Sequence, residues 1–222
     1  MSGLGSQTTA RQGNVLGILG VGSGVLTSLA AVGFSPEVIA QFAGVATIGG
    51  FIGTIVGRRV TATELPQTVA LLHSIVGLAA VLTSIGSVLQ DTDHLSLLHM
   101  VTAYLGVVIG GVTFTGSIVA FLKLAAKVSS KPLALPGKHL INISLFGANA
   151  ATMAGFLTAT PTPAIAASFL GASAVLSFLK GYTTTAAIGG ADMRTSSDND
   201  YIRLTELSFS LAVVITVLNA YS

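Results

Sequence analysis

Apolar runs of about membrane length alternate with short polar breaks along almost the whole chain. The first run is Val15–Val32 and the second is Pro36–Val56, closed by Arg58 and Arg59. The third, Leu65–Leu89, opens on Pro66, which suits a first helical turn where its missing N–H is not needed. An acidic break, Gln90–His94, leads to the fourth run, Leu97–Leu122. A loop with Lys123, Lys127, Lys131, Lys138, Pro132 and Pro136 precedes the fifth, Leu140–Leu157. Thr160-Pro161-Thr162-Pro163 then separates it from the sixth, Ala164–Phe178. Gly189–Glu206 is polar and charged, and Leu207–Leu218, although apolar, is too short to cross a bilayer unaided. The pattern predicts an all-α polytopic transmembrane helix bundle of six spans plus a short C-terminal seventh. It divides the chain into a polar segment (1–12), a transmembrane domain (13–189), a polar loop (190–211) and a partial helix (212–222). The polar segment has no apolar core and is not read as a signal peptide.

Charge placement tests this partition. If the spans alternate direction from Arg11, all ten basic residues fall on one side: Arg11, Arg58, Arg59, Lys123, Lys127, Lys131, Lys138, Lys180, Arg194 and Arg203. The other side receives Glu37, Asp91 and Asp93 and no Lys or Arg. That is the positive-inside distribution, with Lys180 near the end of its span and able to snorkel.

Composition agrees. The chain is 51% hydrophobic and 8% charged, with a mean hydropathy of +0.83. A soluble domain carries roughly 25% charge, so this is an integral membrane protein. It has no cysteine, which excludes disulfides and thiolate metal sites. Its 26 glycines recur at helix-packing spacing, as at Gly49, Gly53 and Gly57 or Gly106 and Gly110. The string Gly20-Val21-Gly22-Ser23-Gly24 lies inside a span, follows no strand and has the wrong spacing for a phosphate loop.

One ionisable side chain lies inside the third run. His73 is about two turns past its start, too deep to reach the headgroups easily. Intramembrane ionisable groups are costly and mark proton or ion paths by default, although an imidazole bonded to a neighbouring helix can be a packing element. Thr113, Thr115 and Ser117 in the fourth run, and Asn142 and Asn149 in the fifth, read first as interhelical glue. A polar seam joining His73, Ser117 and an amide would instead make a proton relay, with the imidazole as its switchable member. His94 and His99 are read as interfacial, and His139 as facing the basic-side headgroups. No grouping has metal-ligand spacing and no nucleophile stands beside a base, so neither a metal nor a catalytic pair is expected.

Six strings, in register, carry a resemblance: ARQGN (10–14), LPQTVALLHSIVGLAAVL (65–82), GGVTFTGSIVAF (110–121), SSKPLALPGKHLIN (129–142), AAIGGADM (186–193) and VLNAYS (217–222). They resemble the membrane domain of proton-translocating NAD(P) transhydrogenase, which in bacteria lies largely in the beta subunit. The resemblance implies hydride transfer between NAD(H) and NADP(H), coupled to proton passage. It implies that His73 is the central proton-channel residue, with Ser117 and Asn219 completing its polar cluster, and that Asp192 lies on a loop communicating with the NADP(H) domain. Ala220 replaces the family's usual serine, and Arg194–Leu211 is an insertion relative to its pattern. No cofactor is expected in this chain, because NAD(H) and NADP(H) belong to partner domains. The chain alone is accordingly not expected to transfer hydride. The other expected partners are membrane lipid and a second copy in a homodimer, and no nucleic acid. The family occupies both the mitochondrial inner membrane and the bacterial plasma membrane; the insertion favours the mitochondrial inner membrane, with the bacterial plasma membrane as the alternative. A small polytopic carrier or channel, and a non-catalytic membrane remnant, are the competing readings.

Overall fold

The computed structural model describes residues 10–61, 63–90, 92, 95–133, 135–159 and 162–190. All regular structure among them is helical: α1 (Ala10–Val32), α2 (Pro36–Arg59), α3 (Leu65–Gln90), α4 (Leu97–Leu124), α5 (Lys138–Thr158) and α6 (Pro163–Ala186). In lipid every backbone N–H and C=O must be satisfied within the segment, which a helix does. Five helices, α2 to α6, are long and apolar enough to cross a membrane, while the apolar part of α1 is the shorter Val15–Ala30. The expected short seventh helix lies outside the described residues, as does most of the polar N-terminal segment, of which Ala10–Gln12 joins α1. The sixth span is longer than its apolar run: α6 continues past Phe178 to Ala186, because Lys180 and the threonines after it find partners.

The helices fall into two compact units, α1 and α2 in one and α3 to α6 in the other. In the first, α2 buries no residue, and large apolar side chains such as Val45 and Phe51 stand exposed. Hydroxyls on these helices bond to their own backbone one turn back, as Thr27 does to the Ser23 carbonyl and Thr54 to that of Gly50. Gly33, with φ +98°, ends α1 in the left-handed conformation that a Cβ would oppose, and its N–H reaches the Leu29 carbonyl. Ser35 caps α2, with Pro36 at the first helical position.

In the second unit α4 lies against both α3 and α6, and α5 packs chiefly on α6. The core is Val81, Val88, Met100, Ala103, Tyr104, Val107, Phe156, Ala166, Leu170 and Ala174. The buried stripe of α3 is Ser74, Gly77, Val81, Ser84 and Val88, alternating three- and four-residue steps, the spacing of a left-handed helix pair. Small residues set the approach. A Cβ on Gly77 would lie 2.7 Å from the Gly110 carbonyl oxygen and the Phe114 nitrogen, and one on Gly111 would lie 2.7 Å from Ser177 Cβ. A Cβ on Gly181 would collide with Thr115 Oγ1. Thr115 therefore reaches across α4 and α6 to donate to the Phe178 carbonyl at 2.8 Å.

These contacts fix directions. Gly77 facing Phe114 while Val81 faces Gly110 makes α3 and α4 antiparallel. Gly111 beside Ser177, and Gly116 beside Thr185, make α4 and α6 parallel. Asn149 bonded to Ser173, and Asn142 bonded to Thr183, make α5 antiparallel to α6. Alternation from α3 to α6 follows, and Lys123, Lys127, Lys131, Lys138 and Lys180 gather at one end of this unit.

Candidate functional site

His73 sits at the edge of the buried stripe of α3, four residues before Gly77, and is half-buried. It is about 12 Å along the axis from Leu65 and about 26 Å from Gln90. Its Nδ1 is 2.8 Å from the Val69 carbonyl oxygen, one turn back. A carbonyl only accepts, so Nδ1 carries the hydrogen, and in the neutral ring Nε2 holds the lone pair.

Ser117 is half-buried on α4. It is seven residues beyond Gly110 and three beyond Phe114, on the stripe that meets α3. Antiparallel pairing about Gly77 brings the turn of His73 level with residues 114–118. Measured from the basic end, His73 and Ser117 lie at nearly the same depth, about 12 and 10 Å. The close glycine contact thus sets His73 and Ser117 at one level on two helices that touch backbone to backbone. Asp192 and Asn219 lie outside the described residues, as does His94. His99, in the first turn of α4, is half-buried, with Nε2 3.2 Å from Ser87 Oγ. His139 stands exposed in the first turn of α5.

A second polar group lies on the other side of α4. Asn149 is buried, and its Oδ1 accepts from Ser173 at 3.0 Å and from Ser177 at 3.4 Å. Its backbone carbonyl accepts from the Tyr104 hydroxyl at 2.8 Å, and its Nδ2 donates to the Leu145 carbonyl. Tyr104 also meets Thr152, so the group ties α4, α5 and α6 together. Each member is satisfied within the bundle, which makes it the interhelical glue expected of Asn149 and leaves it without a site's open valences.

Sequence reasoning missed the burial of Lys123. The apolar run stops at Leu122, which put this residue among the loop charges. Helix α4 continues to Leu124 and draws Lys123 inside, to 6% exposure. The signal was its place at the end of a run, where a long cationic side chain can reach the unpaired carbonyls of a parallel neighbour's last turn. Lys180 differs in a smaller way: its ammonium lies 4.6 Å from the centre of the Phe146 ring instead of simply extending to the headgroups.

A family model described as NAD(P) transhydrogenase beta subunit matches residues 1–196. The chain belongs to that family. Among its relatives, NAD(P) transhydrogenase subunit beta of Rhodospirillum rubrum is 32% identical over 229 aligned residues, covering 100% of this chain and 44% of the relative. The same-named subunit of the Rhodospirillum rubrum strain ATCC 11170 matches to the same extent. The chain therefore spans less than half the length of the curated relatives it matches. Membership of the transhydrogenase beta family, together with five apolar helices of span length, makes the chain an integral membrane protein.

Proposed function

We propose that this chain supplies the proton-translocating membrane part of an NAD(P) transhydrogenase, coupling hydride transfer between NAD(H) and NADP(H) to proton passage. The observation that carries the reading is His73, a titratable ring about a third of the way along an apolar span, in a chain of this family. The nucleotides belong to partner domains and supply the hydride chemistry there; this chain's residues hold and move the proton.

With Nδ1–H kept on the Val69 carbonyl, Nε2 is the atom that gains and loses the transferred proton. Ser117, level with the ring on the facing stripe, has a hydroxyl that can accept from one neighbour while donating to another, as a relay requires. Asn219 completes this cluster in our reading, and Asp192 links it to the NADP(H)-binding domain. The charge on His73 then biases two conformations that differ in affinity for proton and nucleotide, and the coupling is reciprocal. We assign the chain to a homodimer in the mitochondrial inner membrane, with the bacterial plasma membrane as the alternative.

The decisive experiment replaces His73 with asparagine in the complete transhydrogenase in sealed vesicles. Hydride-driven proton uptake should fall on the order of a hundredfold, the scale of losing a proton-transfer group. Uptake at the wild-type rate overturns the assignment. Solute flux through vesicles holding this chain alone would point instead to a small carrier or channel.

A further inference from the structure

The proton path proposed above leaves the buried cation at the end of α4 without a role. Lys123 Nζ donates to the carbonyls of Ala186 at 2.7 Å, Ile188 at 2.6 Å and Lys131 at 3.4 Å. An ammonium has three N–H bonds, and three acceptors take them all. All three partners are neutral carbonyls: Ala186 is the last residue of α6, where the helix dipole is negative, and Ile188 lies in the turn just after it. Burying a charge is expensive, and a lysine in the last turn of a span ordinarily extends to the nearby surface. This one points inward.

The loop after α4 is fastened to the same turn. The Gly190 N–H donates to the Ser130 carbonyl at 2.7 Å, and the Leu133 N–H donates to the Ala186 carbonyl at 2.9 Å. Gly190 sits so close that a Cβ there would lie 3.0 Å from Ser130 Cβ. Ala126, with φ +53°, turns the chain sharply at the end of α4 to begin this loop. Three elements thus converge on one ammonium: α4, the loop 129–133 and the turn 186–190.

We propose that Lys123 is a positioning residue whose ammonium holds the turn 186–190 against α4, so that a movement of α4 at Ser117 is transmitted to the chain beyond Gly190. The proposal rests on the proton-translocation reading. Ser117 and Lys123 are joined by six residues, about 9 Å, of continuous helix, stiff enough to move as one piece. Asp192 follows Gly190 by two residues in the sequence.

The test exploits the absence of cysteine from this chain. In the complete transhydrogenase, a Ser130→Cys, Gly190→Cys pair reports docking of the turn, since slight relaxation brings the two Cβ atoms into the range of about 3.5–4.5 Å that a disulfide takes. Closure by an added small-molecule disulfide, which takes up the two electrons, is timed in membranes without nucleotide. Lys123→Met, which keeps the stem and removes the charge, should slow closure at least about tenfold, the scale of losing one hydrogen bond to a charged donor. It should also lower the number of protons moved per hydride transferred. Lys123→Arg, which restores a cation with N–H donors, should recover both, and closing the disulfide in the Lys123→Met protein should recover the proton ratio until a thiol reopens it. Closure at the wild-type rate in Lys123→Met overturns the proposal. So does slow closure with an unchanged proton ratio, which would leave Lys123 a structural cap alone. Should Lys123→Met fail to assemble, Lys123→Gln carries the same two readouts. Closure requires no proton passage through His73 and should be unchanged in His73→Asn, so failure of the clamp is distinguishable from failure of the proton path.

Discussion

The amide of Asn149 shows what a buried polar side chain does here. Two serines of α6 meet its Oδ1, and the Tyr104 hydroxyl meets its backbone carbonyl. Removing the amide strands both serine hydroxyls between helices. Asn149→Ala should lower stability by about 1–2 kcal/mol, the upper part of the range for interhelical hydrogen bonds in membranes. The denaturation midpoint of the detergent-solubilised protein measures it. Glu64, outside the spans, offers a test by titration. The backbone N–H of Thr61, and then its hydroxyl, donate to the carboxylate and hold its pKa below the usual carboxylate value. Because the folded value is the depressed one, whatever this contact contributes is present above the ordinary carboxylate pKa and is lost as pH falls through the folded one. Thr61→Ala removes the hydroxyl and keeps the backbone N–H, so the Glu64 titration, followed by carboxyl NMR, should rise only part of the way towards the ordinary value. At this scale His73 was legible from composition alone, because one imidazole in an apolar run stands out. Lys123 was not, because its partners are backbone carbonyls, the shortest of them 63 and 65 residues away at and just beyond the end of α6, which no side-chain pattern records.

Between elements, glycine decides how closely α4 can approach its neighbours. Gly77 and Gly86 lie on the same helix and look alike in the sequence. A Cβ on Gly77 meets backbone atoms of Gly110 and Phe114 at 2.7 Å, whereas one on Gly86 meets nothing within 4 Å. Gly77→Ala should therefore cost about 1–3 kcal/mol through overpacking, since backbone cannot give way as a side chain can. Gly86→Ala should cost nothing and could gain up to about 1 kcal/mol of helix propensity. Equal midpoints for the two variants would refute this packing. The periodicity of small residues announced close contacts, but the sequence did not say which glycines make them. That selection depends on the register between α3 and α4, set by Val81, Val88, Ala103 and Val107 packing together.

For the whole chain, alternation of direction from α3 to α6 gathers the lysines at one end of their unit. Single cysteines placed at Leu133 and Thr162, both exposed, should react with an impermeant thiol reagent from opposite sides of sealed vesicles. Labelling of both from one side would overturn the topology. The positive-inside rule had already predicted this arrangement from charge alone.

The linear pattern was enough for the membrane habit, the approximate limits of the six described helices, the gathering of lysines at one end and the place of His73 inside an apolar run. Each depends on a free energy of transfer or a charge count, which a linear pattern carries in full. Packing was needed to show which stripe of α3 meets α4, that Ser117 shares a level with His73, and that Lys123 turns inward onto the end of α6. These depend on register and on backbone groups, and backbone groups are the same at nearly every residue until the helices are packed.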